Sequence, residues 1–366
     1  MGDFKRATIV GVGLIGGSLG MALKRKVPDL TVFGIDDDEI LIEAQEIKAI
    51  DRGFTRDQMQ TCIEQSELVF VCTPIYLITD LLPQIAKMVK PGTLVTDVGS
   101  TKDQIVQMGE KHFKDKIYFL GGHPMTGGEG NGIHHADPLL FENAVYVLTP
   151  VNHLPRTLIQ KFGNLVEQIG SKVLFLTPSM HDKIAAAVSH IPQLLAVTLV
   201  NWVAAHQKDS SHFLKLAAGG FRDMTRIASS PYEIWKDVIS TNQKEMMAFL
   251  DEFIDQLKKT KENLKNQDLS TDFKNAARNR LSIPSDTRGF LLPHYDLSVR
   301  VEDKPGEIAE MATILAKQKI NIKDIEVLKV REGDAGVIRF SFETEEARKT
   351  AQQLFKEIGY ESRCRE

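Results

Sequence analysis

Three turns and one helical stretch hold most of the residues able to do chemistry. His123 sits in Gly121-Gly-His123-Pro-Met-Thr-Gly127-Gly-Glu129, Ser100 in Asp97-Val-Gly-Ser100-Thr-Lys102, and Thr73 and Pro74 follow Cys72. Histidine is the side chain whose unperturbed pKa lies nearest neutrality, so His123 is the candidate to take a proton from a hydroxyl. Taken alone, a histidine in a glycine-rich loop can equally cap a backbone carbonyl. Farther along, Asp223 and Arg226 are three residues apart, and on a helix they share one face with Arg222. A guanidinium is the preferred planar partner of a carboxylate, although a surface ion pair is the commoner outcome for such a run. His190 and Gln193 also share a helical face, as a satisfied buried pair or as a polar wall facing a ligand.

A fourth turn supplies the context. Gly11, Gly13 and Gly16 form G-x-G-x-x-G after the apolar run Ala7 to Val10, and Leu14 to Lys26 reads as a helix opening with Leu14 and Ile15. Glycine at the first position permits the tight turn and at the second lets backbone approach a pyrophosphate. The third lets helix and strand close together, with free N–H groups of the helix start facing the phosphates. A second run, Thr31 to Ile35, ends at Asp36, followed by Asp37 and Asp38. An acid there takes the ribose hydroxyls of NAD and repels the extra phosphate of NADP; Asp36 is the candidate.

These turns need strands to carry them. Strands are expected at Arg6–Val10, Thr31–Ile35, Leu68–Cys72, Leu94–Thr96, Ile117–Leu120, Val145–Leu148 and Lys172–Leu176, with helices such as Ile75–Val89 and Arg156–Ile169 between them. That alternation predicts a Rossmann-like, doubly wound α/β sheet over 1–176, with ligands at the carboxyl ends of its strands. From 177 to 281 the period becomes helical. Pro178 to His206 reads as one long helix bent at Pro192, and Thr241 to Asn266 carries the apolar stripe Met246, Met247, Leu250, Phe253, Ile254 and Leu257, a core or dimer surface. Residues 282–293, with Pro284, Gly289 and Pro293, read as a linker. Residues 294–366 then follow βαββαβ order, a ferredoxin-like unit whose small core calls for a partner copy.

Composition narrows the class. With 366 residues, 42% hydrophobic and 26% charged, the chain has the make-up of a soluble protein of two or three domains. A net charge of −4 argues against nucleic acid as a main partner. Three cysteines without metal spacing point to a reducing cytoplasm, no disulfide framework and no metal site, and His134 and His135 are adjacent and so do not converge on one ion. Met1 to Val10 is too short an apolar run for a signal peptide. Ile184 to Ala205 has no charged residue but holds His190, Pro192, Gln193 and Asn201, so a helix buried in a domain or dimer is expected and no membrane span.

Taken together, these residues resemble prephenate dehydrogenase of tyrosine biosynthesis in the form with a C-terminal ACT domain, over essentially the whole chain. The resemblance rests on G-V-G-L-I-G-G-S at 11–18, G-G-H-P-M at 121–125, H-D-K-I at 181–184, S-H-I-P at 189–192 and the run from Gly220 to Ala228, with D-K-P-G at 303–306 and Asn321 in the small unit. It implies NAD-dependent oxidative decarboxylation of prephenate to 4-hydroxyphenylpyruvate, carried out by a homodimer. It also implies that His123 receives the ring hydroxyl's proton, that Ser100 contacts that hydroxyl and that Arg226 holds a substrate carboxylate. Glu129, His190, Gln193, Asp223 and Trp235 would line the substrate side. Gly306 and Asn321 would contact an effector, tyrosine. The chain departs from the family at Gln193, where a second histidine is common, and at Gly128 and Gly130, where a hydroxyl residue and a lysine are common.

Arogenate is the rival substrate. A β-hydroxyacid dehydrogenase working through Lys183 is a more distant reading, and a non-enzymatic NAD and amino-acid sensor more distant still.

Overall fold

The computed structural model describes residues 4–114, 116–127, 130–151, 154–282, 295–302, 304–329 and 336–364. Contacts divide the chain into two compact units, Met1–Ser270 and Thr271–Glu366.

The first unit opens with β1 (Arg6–Val10), α1 (Leu14–Lys26), β2 (Thr31–Ile35), α2 (Asp38–Glu46), β3 (Arg52–Phe54), α3 (Met59–Ile63), β4 (Leu68–Val71), α4 (Ile75–Met88), β5 (Leu94–Asp97) and α5 (Asp103–His112). It continues with β6 (Tyr118–Pro124), β7 (Val145–Thr149), α6 (Arg156–Gln168) and β8 (Lys172–Phe175). The strands form one sheet in the order β3-β2-β1-β4-β5-β6-β7-β8. Both faces of it are covered. Along β1 and β4, Ala7, Ile9, Leu68 and Phe70 enter one core with Leu19, Tyr146 and Phe162, while Val10, Val69 and Val71 enter the other with Ile78, Val95 and Phe119. That is the continuous apolar reading expected of strands buried on both sides.

Two features depart from the expected sheet. Arg52–Phe54 is an additional edge strand, parallel to β2. More consequentially, β6 runs on to Pro124, so His123 lies in a strand and not in a loop. Tyr118–Leu120 pair parallel with β5, whereas Gly121–Pro124 pair antiparallel with β7, His123 opposite Val147. The two glycines before His123 permit this handover. A Cβ on Gly121 would lie 2.3 Å from Thr149 Oγ1, and one on Gly122 2.8 Å from the Asp97 carbonyl.

The helical part of this unit comprises α7 (Pro178–Ala185), α8 (Ile191–Ala205), α9 (His212–Lys215), α10 (Gly219–Thr225), α11 (Tyr232–Thr241) and α12 (Gln243–Lys265), and all but the first residue of α13 (Ser270–Ser282) belongs to the second unit. Thr177 caps α7 by accepting the Met180 N–H at 3.2 Å, with Pro178 at the first helical position. Between α7 and α8, Ala186–His190 form a π turn whose closing bond runs from the Ile191 N–H to the Ala186 carbonyl. The expected irregularity at Pro192 is thus a widened turn just before it. The span Pro178–Lys208 is long and apolar enough to cross a membrane by length and composition alone. It is not buried throughout: Val188 is 63% and Trp202 61% exposed, while His190, Ile191, Gln193 and Ala196 are buried.

After α13 the second unit continues with β9 (Tyr295–Val301), α14 (Glu307–Lys317), β10 (Asp324–Lys329), β11 (Gly336–Phe342), α15 (Glu345–Glu357) and β12 (Ser362–Cys364). Its antiparallel order β10-β11-β9-β12 is ferredoxin-like. Leu297, Val299, Met311, Leu315, Phe340 and Phe355 form its core. The linker expected at 282–293 lies outside the described residues except for Ser282.

Candidate active site

Strand order reverses about β1, between β2 and β4, and the crevice at their carboxyl ends is the expected dinucleotide cleft. Gly11 has a φ of 90°, a conformation that strains any side chain, and a Cβ there would meet the Cys72 carbonyl at 3.0 Å. A Cβ on Gly16 would come within 2.0 Å of the Gly11 carbonyl oxygen, so α1 starts hard against the turn. By contrast, no atom of the described residues lies within 4 Å of the Cβ position of Gly13, and Gly13 makes no side-chain cap for α1. The helix N-terminus with Leu14 and Ile15 therefore offers free N–H groups beside open space.

Asp36 follows β2 directly, and its side chain curls back on the turn. Its Oδ2 accepts the Val12 N–H at 2.6 Å and its Oδ1 the Asp37 N–H at 2.9 Å, while Asp37 and Asp38 are exposed. Across the cleft, Thr73 and Pro74 lead from β4 into α4, and the Thr73 hydroxyl is a buried polar atom without a hydrogen-bond partner among the described residues. An uncapped helix start, a bare glycine cradle, a ribose-side acid and an unsatisfied hydroxyl together fit a bound dinucleotide.

The β5–α5 turn is built around Asp97. Its buried carboxylate accepts from Gly99 at 2.8 Å and Gly122 at 3.1 Å and pairs with the fully buried Lys102 ammonium. One carboxylate thereby holds both the loop bearing half-buried Ser100 and the strand position beside His123. Burial pulls the Lys102 ammonium below its usual range, and the Asp97 charge opposes that.

Half-buried His123 contacts the helical part. Its Nδ1 lies 2.8 Å from Nε2 of His181, whose Nδ1 lies 2.8 Å from Oδ1 of Asp182. Burial pushes the His123 imidazole well below its ordinary value, reinforced by His181, Lys102 and His190. Asn242, between α11 and α12, donates from Nδ2 to the Asp182 carbonyl at 2.8 Å and meets Nδ1 of His190 at 3.2 Å. The His190 ring stands edge-on to Trp235, with centroids 6.0 Å apart.

One helical turn beyond His190, buried Gln193 donates from Nε2 to the Ile227 carbonyl at 3.0 Å. That bond ties α8 to the 3-10 turn Arg226–Ser229. Arg226 and Asp223 are exposed and Trp235 is half-buried. A line of contacts thus runs from His123 through His181, Asp182 and Asn242 to His190, and Gln193, one helical turn on, reaches the turn bearing Arg226. Glu129 lies outside the described residues.

In the small unit, Gly306 has a φ of 103° and precedes α14, and Asn321 is exposed after it. Next to Gly306, buried Glu307 accepts from Tyr360 at 2.6 Å and pairs with Lys304 at 3.1 Å. His134 pairs with Glu43.

Sequence reasoning passed over His181, Asp182, Asn242, Asp97 and Lys102 as site residues. His181 and Asp182 were in view only as part of H-D-K-I. A polar pair on the inner face of a capped helix, followed by exposed Lys183, was the available signal.

Fold and site together define a nicotinamide-dinucleotide dehydrogenase with an appended ferredoxin-like unit. Family models match in chain order: "Prephenate dehydrogenase, nucleotide-binding domain" at residues 19–175, "Prephenate dehydrogenase, dimerization domain" at 177–276 and "ACT domain" at 295–354. The chain is 34% identical to prephenate dehydrogenase of Bacillus subtilis over 355 residues, 95% of each protein. Among solved structures it is similar to prephenate dehydrogenase from A. aeolicus in complex with hydroxyphenyl propionate and NAD+, with a TM-score of 0.71 and 27% identity, covering 76% of this chain and 98% of that one. Synechocystis arogenate dehydrogenase matches with a TM-score of 0.65 and 28% identity, covering 75% and 99%. The chain belongs to the prephenate dehydrogenase family.

Proposed function

We propose that the chain catalyses the NAD-dependent oxidative decarboxylation of prephenate to 4-hydroxyphenylpyruvate and CO2. The observation that carries this reading is a neutral, half-buried imidazole at the carboxyl edge of a dinucleotide-binding sheet, beside the loop bearing Ser100. Gly11, Gly13, Leu14, Ile15 and Gly16 would hold the pyrophosphate, Asp36 the ribose, and Thr73 and Pro74 the near wall of the cleft. NAD, when bound, supplies the hydride acceptor.

His123 takes the proton of the ring hydroxyl as the C–H bond at that carbon breaks, which relieves the positive charge growing on oxygen. Ser100 orients the same hydroxyl. Loss of the ring carboxylate makes the ring aromatic, so no separate acid is required, and His123 returns a proton to the phenolate. Arg226 holds a substrate carboxylate, with Asp223, His190 and Trp235 on the same side. Gln193 serves this site through its bond to the Arg226 turn.

Prephenate is favoured over arogenate because the curated relatives matching nearly the whole chain bear that name. The Lys183 reading loses support, since that side chain is exposed while His181 and Asp182 beside it are buried. Production of NADH from prephenate and arogenate, each with NAD and NADP, tests the assignment. Prephenate with NAD is expected to give the highest kcat/KM; equal or better rates with arogenate would overturn the choice of substrate.

Four further elements belong to the same reading. The division is 1–176 for the cofactor, 177–281 for substrate and dimerisation, and 294–366 for regulation. A second copy of the chain covers the exposed apolar groove of Pro192, Leu195, Leu199, Trp202, Met224 and Leu257, in keeping with the matched dimerisation model. Tyrosine acts as effector near Gly306 and Asn321, and the enzyme works in the cytoplasm, where its three unpaired cysteines stay reduced.

A further inference from the structure

The proton positions behind His123 follow from the far end of its contact chain. Asp182 Oδ1 accepts the Lys102 N–H at 2.7 Å and Oδ2 the Asp103 N–H at 2.9 Å, both at the start of α5. Both oxygens of this carboxylate thus act as acceptors toward backbone donors at a helix N-terminus, and an ionised carboxylate can only accept. The hydrogen between the two side chains therefore sits on Nδ1 of His181, facing Asp182 at 2.8 Å. Its Nε2 is then an acceptor, and His123, 2.8 Å away, must donate from Nδ1. That leaves the lone pair of His123 on Nε2.

We propose that His181 and Asp182 are positioning residues that lock His123 in the tautomer whose Nε2 can receive a substrate proton. In water an imidazole carries its hydrogen mainly on Nε2, the wrong nitrogen for this role, so the lock changes which species is present and not only its orientation. Both residues are 2% exposed, which keeps water from replacing either bond. The groups facing His123 and His181 are Lys102, Asp182 and His190. Burial and the two neighbouring imidazoles keep His123 uncharged, so the Nε2 lone pair is available near neutrality. Asn242 holds the Asp182 backbone from the other side at 2.8 Å.

The inference rests on His123 being the base, and its test separates the two. In the full-length protein, His181→Leu removes the acceptor, whereas His181→Gln can restore one through its amide oxygen. His181→Leu is expected to lower kcat by about 10–10³-fold, with KM for prephenate and Kd for NAD within about twofold, and His181→Gln to recover at least about tenfold of the loss. Long-range ¹H–¹⁵N spectra of histidine-labelled wild-type protein should show His123 protonated on Nδ1, and those of His181→Leu should show Nε2. Wild-type turnover in His181→Leu, or equal losses in both variants with matching rises in KM and Kd, would overturn the proposal. So would an Nε2-protonated His123 in the wild-type protein, a readout that stands even if the variants fail to fold. A fully active His123→Asn would bring down the base assignment itself; an inactive one beside an unimpaired His181→Leu would bring down only the lock.

Discussion

Asn242 and His190 are joined by a 3.2 Å hydrogen bond, and the same amide nitrogen also serves the Asp182 carbonyl. Since a carbonyl can only accept, that atom of Asn242 is nitrogen and Nδ1 of His190 is the acceptor, which puts the hydrogen of neutral His190 on Nε2. Burial pulls the His190 pKa down to about 4, against the opposing pull of the Asp182 charge. A folded-state pKa below the unfolded value near 6.5 means the unfolded chain binds the extra proton between those limits. The stabilisation is thus full above about pH 6.5 and is lost as pH falls toward 4, on the order of 3 kcal/mol. Urea denaturation of wild type and His190→Asn at pH 7.5 and 4.5 checks this. The wild type should lose more stability over that range than the variant; equal losses would contradict it.

Lys102 and Asp97 are fully buried against each other, so removing one partner strands the other's charge. Lys102→Met should destabilise the first unit by about 3–5 kcal/mol, and the double replacement Asp97→Asn with Lys102→Met by less. Equilibrium unfolding of the single and double variants decides it.

His123→Asn should lower kcat by about 10²–10⁴-fold while leaving NAD binding intact. Because the His123 pKa is depressed, the acid limb of kcat/KM in the wild type should lie below pH 6.5, with the base retained at neutral pH. Steady-state rates across pH, paired with NAD titration, measure both.

How much of this could be read from the chain alone varies with the range of the interactions. The glycine turn, Asp36 and the strand–helix alternation are local, and each lies where its pattern puts it. Strand direction is not local: nothing in Val145–Thr149 says that it runs antiparallel to β6, and Gly121-Gly122 looks like a loop until the close approach of Thr149 and Asp97 explains it. Arg52–Phe54 was too short and too polar at its start to register as a strand. His181 and Asp182 are illegible for the same reason as Asn242, because their partners on other elements lie 52 to 80 residues away in the chain.

Arg226→Ala should act on substrate affinity, raising KM for prephenate about 10–100-fold for a charge-assisted bond of roughly 1.5–3 kcal/mol. Gln193→Leu, which removes one bond between α8 and the Arg226 turn, should raise KM in the same direction by a smaller factor. An unchanged KM in Arg226→Ala would make that residue part of the surface.

Asp36→Ala should weaken NAD more than NADP, moving the ratio of their dissociation constants by about tenfold, because a carboxylate both binds ribose hydroxyls and repels a ribose phosphate. Titration of both nucleotides reads it directly. An unmoved ratio would transfer the ribose contact elsewhere.

The most direct test of the account is a crystal structure of the full chain with NAD and hydroxyphenyl propionate. The phenol oxygen should lie about 2.6–3.2 Å from Nε2 of His123, with Ser100 beside it and the carboxylate on Arg226. An imidazole and a guanidinium opening into separate spaces, with the phenol in contact with neither, would contradict it.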